Sequence, residues 1–172
     1  MQTSNIVSMR VNVSGFVGAP VSLYAAYDHE HDFILIQSDS DYDGGPRDGF
    51  LKITNQSRDQ SYDALFQEAD LQDAITSYFE LASMGLLELG DLVKRHDPSN
   101  KIERDGISDT RVKYRIAPDM TSGQVAVMAA CLYTNRQRGA AKAEQFAYSM
   151  IMIGGDFGSE NEPLKDWRLV TP

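Results

Sequence analysis

Hydrophobic positions recur with a period of two in the first third of this chain and with a helical period beyond it. Within Ile6 to Val13 the residues Val7, Met9, Val11 and Val13 fall on alternate positions, as in a half-buried strand. Gly15, Gly18 and Pro20 supply turn chemistry before a second apolar run, Val21 to Tyr27. A short charged connection, Asp28 to Asp32, precedes Phe33 to Gln37, whose continuous apolar character predicts the return strand of a hairpin. After an Asp-, Gly- and Pro-rich loop, residues 50–54 (FLKIT) predict a fourth strand. Four short strands in succession predict an antiparallel meander.

The period changes at Ser57. Ser57 and Gln60 have the spacing of a capping box, and Tyr62, Leu65, Phe66 and Ala69 share one helical face. A second helix is expected after Asp70, with Ala74, Ile75, Tyr78, Phe79 and Ala82 as its apolar stripe. Gly85 ends or bends it, and Leu86, Leu89 and Val93 extend the helical pattern towards Pro98. Residues 97–109 read as a polar loop. Arg111 to Ile116 alternates again, with Arg111, Lys113 and Arg115 opposite Val112, Tyr114 and Ile116. Thr121 or Ser122 then opens a helix carrying Val125, Met128, Ala129 and Leu132, and another is expected from about Ala140 to Ile153, closed by Gly154 and Gly155.

This order predicts the α+β class: an N-terminal antiparallel β-meander packed against helices, with one later strand, 111–116, joining the sheet. The chain reads as a single domain over 1–172. It is strand-rich over 1–56, helical over 57–98, mixed over 99–157 and aperiodic over the 158–172 tail.

Composition adds one feature, a net charge of −9 that is unevenly placed. Residues 1–100 hold six Lys/Arg against sixteen Asp/Glu, whereas residues 101–172 hold ten against nine. A field of that sign opposes direct contact with nucleic acid or an anionic membrane. It suits a basic protein partner or the docking of unlike halves in a homodimer. The lone Cys131 excludes an internal disulfide and a cysteine-based zinc site. No apolar run approaches the roughly 20 residues of a membrane helix, and the N-terminal apolar stretch is interrupted by polar residues, glycine and proline. A cytoplasmic location is expected.

The stretch from Asp28 to Asp48 concentrates the candidate chemistry. Asp39, Asp41, Asp43 and Gly44 carry the spacing of the opening of a calcium loop, in which alternate carboxylates converge on a hard cation. Residues 39–44 (DSDYDG) resemble the start of an EF-hand loop. The resemblance stops there, because Phe50 stands where the bidentate Glu belongs and the flanks read as strands. Asp39, Asp41 and Asp43 are therefore the candidate metal ligands, and calcium the candidate ion. His29 and His31, two residues apart among Asp28, Glu30 and Asp32, form a second candidate cluster suited to a transition metal.

No nucleophile-elbow, Walker or Rossmann pattern is present. Cys131, between Met128 and Leu132, reads as a buried hydrophobe rather than a nucleophile. The glycine-rich 154–158 run follows a helix, which suits a cap better than a phosphate cradle. The expectation is a non-enzymatic acidic protein that binds a basic partner, with a metal-binding module or metal-dependent enzyme as the alternative. The candidate partner-binding residues are Asp28, Glu30, Asp32, Asp39, Asp41, Asp43, Asp48, Asp63, Asp70 and Asp73, with Trp167 as an aromatic anchor. Asp59, Glu68 and Glu80 lie among them. Carboxylates so spread can imitate a phosphate backbone and enter the basic groove of a nucleic-acid-handling protein. Small acidic inhibitors of phages and mobile elements, and immunity proteins that neutralise toxins, use this device.

Overall fold

A computed structural model describes residues 6–28, 30–41, 51–58, 61–108 and 111–157. Two compact units make up the chain, Met1–Arg138 and Gly139–Pro172. In the first unit three strands form the expected meander. Strand β1 (Ile6–Val13) pairs antiparallel with β2 (Val21–Asp28), and β2 pairs antiparallel with β3 (Phe33–Ser38). The fourth, β4 (Leu51–Thr54), departs from it. It pairs parallel with β1, at the far side from β2, so the chain crosses the sheet between β3 and β4.

Two further strands complete a six-stranded sheet of order β5-β4-β1-β2-β3-β6. Strand β5 (Ala64–Leu65) runs parallel to β4, where a helix was expected from Ser57 onward. The later strand that joins the sheet is β6 (Leu87–Leu89), parallel to β3. The switch from helix to strand is made at Gly85. Helix α1 (Leu71–Ser83) ends with the Leu86 amide bonded to the Leu81 carbonyl at 3.0 Å across Gly85, whose φ is +69°. That left-handed step is the glycine cap. The Leu86 carbonyl then accepts the Ile34 amide at 2.8 Å, which turns the chain into β6 instead of further helix.

Register explains the core. Leu51, Met9, Ala25, Ile36 and Leu89 lie in one row across the sheet, and Ala64, Ile53, Val11 and Leu23 in the next. Met9, Val11, Ile34 and Ile36 are wholly buried. The intervening positions Arg10, Asn12 and Ser22 are polar, and Ser22 Oγ accepts from Asn12 at 2.7 Å and from Arg10 at 3.1 Å. Alternation thus gives one apolar and one polar face.

Helix α2 (Ser122–Phe157) opens with a reciprocal cap, in which Thr121 Oγ1 accepts the Gln124 amide at 3.1 Å and Gln124 Oε1 accepts the Thr121 amide at 3.0 Å. Val125 to Leu132 are each buried, so this part of α2 is surrounded by protein on every side. It is tied to α1 through Asn135, which donates to Glu80 at 3.1 Å, and to β5 through the Tyr133 hydroxyl on the Leu65 carbonyl at 3.4 Å. The helix continues through Gly154 and Gly155 to Phe157, so those glycines do not close it.

Strand 111–116, β8 (Arg111–Ile116), does not enter the large sheet. It pairs with β7 (Ile102–Ser108) in a separate two-stranded ribbon, and β7 occupies part of the stretch that reads as a polar loop. The alternation within β8 is as expected: Val112, Tyr114 and Ile116 are partly buried, Lys113 and Arg115 exposed. Tyr114 packs on Phe79 with ring centroids 5.4 Å apart, and its backbone is held at both ends by the Gln72 amide, at 2.7 and 2.9 Å.

Candidate functional site

The candidate carboxylates fall at three places around the rim of the sheet. Asp28, Glu30 and Asp32 surround the β2–β3 turn. Asp39 and Asp41 follow the opposite end of β3, about 20 Å away at the rise of a six-residue strand. Asp63, Asp70 and Asp73 lie at the β5 edge and the start of α1. Asp43, Asp48, Asp59, His29 and Trp167 lie outside the described residues.

At the turn, Asp28 accepts the Glu30 amide at 3.0 Å, the His31 amide at 3.2 Å and the His31 ring at 2.7 Å. Burial works to raise the Asp28 pKa, but the hydrogen bonds from His31 and the two amides outweigh it and hold the carboxyl below its ordinary value. The same bond raises the His31 pKa, with the Asp28 charge adding to it. Asp28, Glu30 and His31 each present a ligand atom, all within 4.8 Å of one another. His31 therefore joins the acidic cluster.

Asp32 is held differently. Its φ of 54° is left-handed, a region that Asp tolerates better than most side chains. Its carboxylate accepts the Tyr27 hydroxyl at 2.9 Å and Arg138 Nε at 3.1 Å. Burial and this carboxylate push the Tyr27 phenol up to about 12. Nothing in the local sequence points to Arg138, which lies 106 positions away.

Asp39 and Asp41 take separate partners. Asp39 accepts the Tyr24 hydroxyl at 3.3 Å, whereas Asp41 Oδ2 accepts the Leu92 amide at 3.0 Å and packs against Gly90. A Cβ on Gly90 would sit 2.9 Å from that oxygen, so the glycine allows the approach. Asp63 Oδ2 accepts the Lys52 amide at 2.7 Å, and Asp70 Oδ2 the Gln67 amide at 2.8 Å.

The cationic face of β8 is partly answered within its own ribbon. Arg115 lies 3.5 Å from both Glu103 and Asp105. Cys131 is fully buried, and burial pushes its thiol pKa far up, so it is not a reactive thiolate. A cleft that sequence reasoning missed, of about 750 Å³, is lined by Asp39, Arg95, His96, Lys101, Gly123 and Gln124 among others. Its charges are mixed. Lys101 pairs with Asp119 at 3.0 Å, while burial, and Arg95 after it, lower the His96 pKa and favour the neutral ring.

No helix among the described residues is long and apolar enough to cross a membrane. No protein-family model, curated protein or solved structure matches this chain.

Proposed function

We propose that this chain is a non-enzymatic acidic binding protein whose carboxylates engage the basic surface of a partner, as an inhibitor or immunity-type protein that imitates nucleic-acid charge. One observation carries the reading. Asp41, Asp63 and Asp70 each accept a backbone amide, which fixes the position of these carboxylates for a partner to meet. A rim of such groups attracts a cationic surface at long range and speeds its encounter.

The test reverses two exposed carboxylates and one half-buried one, Glu30→Lys, Glu68→Lys and Asp73→Lys. A tagged copy captures its partner from cells, and duplex DNA is added as competitor. The triple variant is expected to fold with an unchanged far-ultraviolet spectrum and to bind on the order of 100-fold more weakly. DNA should displace the partner from the wild type. A partner retained equally by both proteins would sink the proposal.

The 4.8 Å cluster of Asp28, Glu30 and His31 favours a second reading, a divalent-ion site at the β2–β3 turn. One imidazole and two carboxylates suit zinc or manganese better than calcium. Calorimetric titration of chelator-stripped protein should then give a stoichiometric heat with zinc that His31→Ala abolishes. Zinc heats unchanged in that variant would remove this reading.

A further inference from the structure

Beside the acidic β5 edge lies a second cleft, of about 450 Å³, walled by Phe16, Leu65, Phe66, Leu71 and Ile116. Phe66 is buried, whereas Phe16 keeps 37% of its surface exposed. The fold brings these side chains together from the β1–β2 turn, from β5 and the residue after it, from the first turn of α1 and from the end of β8. Each wall is tied in place. Asn55, which also lines the cleft, donates to the Ser14 carbonyl at 2.7 Å and accepts the Ser14 amide at 3.0 Å, and the Phe16 amide donates to Ser122 Oγ at 3.3 Å. The Gln72 side chain clamps the start of α1 to β8, and the Tyr133 hydroxyl holds β5. A cleft so braced is formed before any ligand arrives, which lowers the ordering cost of binding.

Charge decides what fits it. Glu68 is the one charged side chain that lines the cleft, and the Asp70 carboxylate sits on the amide of Gln67, another lining residue. Among the described residues neither carboxylate is paired with a cation. Apolar walls with an acidic lip match a large apolar group that stands next to a positive charge. We propose that the cleft anchors a basic partner by an aromatic or large aliphatic side chain carried beside Lys or Arg, the apolar group entering the cleft and the cation meeting Glu68. The inference rests on the acidic-binding reading and locates the anchor within it. A volume of about 450 Å³ lies at the small end of ligand clefts, roughly 300–1,000 Å³, so one side chain fills it rather than a length of peptide. A single buried anchor of this kind dominates the energy of many interfaces. A second copy of the chain is a poorer match, since it brings a net charge of −9 towards Glu68.

The probe is the capped tripeptide Arg-Trp-Arg, titrated into the full chain with the methyl NMR signals of Leu65, Leu71 and Ile116 as the readout. These signals are expected to shift saturably. Arg-Ala-Arg and Glu-Trp-Glu should each bind on the order of tenfold more weakly, the first for lost apolar burial and the second for charge repulsion. Ser57 is exposed at the cleft, so Ser57→Trp should obstruct it and abolish the shifts while leaving the urea midpoint unchanged. A wild type without saturable shifts overturns the proposal. Preference for Arg-Trp-Arg over Glu-Trp-Glu with shifts confined to other residues overturns the anchor alone and leaves the acidic reading standing. Equal binding of the two Trp peptides at the cleft overturns the charge match, and the basic partner with it. Movement of the cleft methyl signals on dilution of the free protein would assign the cleft to a second copy and overturn the proposal as well.

Discussion

His31 shows how a single exposed residue reports its surroundings. Its hydrogen bond to Asp28 raises the imidazole pKa above its ordinary 6.5, and Asp28 is lowered from 3.8. The raised histidine contributes stability to the turn that is complete below pH 6.5 and fades as the pH climbs through the folded-state value. The lowered aspartate contributes above 3.8 and fades as the pH falls through its own folded-state value. Both partners are charged between those limits, so the turn is best ordered in mildly acidic solution. An NMR titration should find His31 above 6.5 in the wild type and close to 6.5 in Asp28→Asn. A wild-type value of 6.5, or no change on substitution, would show that the 2.7 Å contact does not form in solution.

Elements differed in legibility according to how far away their partners lie. The β1-β2-β3 meander could be read because each strand pairs with its sequence neighbour and alternation fixes which face is apolar. Strands β5 and β6, of two and three residues, could not. They exist because Thr54 and Ile34, at distant positions, bond them, and no period is measurable over so few residues. Capping boxes make the same point. Thr121 and Gln124 form the reciprocal cap and open a helix, whereas Ala64 and Leu65, where a helix was expected after Ser57, pair with β4. Among the candidate sites, the clustering of acids around His31 was visible because it is local. The partners of Asp39 and Asp41 were not, since they are Tyr24 of β2 and the Leu92 amide, 51 residues beyond Asp41. Arg138 on Asp32 was equally hidden.

Division of the chain after Arg138 has a thermodynamic consequence for the whole molecule. Every buried apolar residue described lies at or before Leu132, and the last buried polar one is Thr134. Arg138, whose guanidinium holds Asp32, is the final residue of the first unit. Removal of residues 139–172 therefore takes away none of the described core and keeps Tyr133, Asn135 and Arg138, which bond β5, α1 and the β2–β3 turn. A chain ending at Arg138 is expected to unfold cooperatively in urea with stability within about 1 kcal/mol of the full chain. Its m-value should fall only slightly, because that slope follows the surface exposed on unfolding and residues 142–149 are already exposed. Loss of the cooperative transition, or destabilisation by several kcal/mol, would mean that the 139–172 segment is part of one folding unit with the sheet. A retained transition would mean that the sheet and the buried part of α2 fold alone.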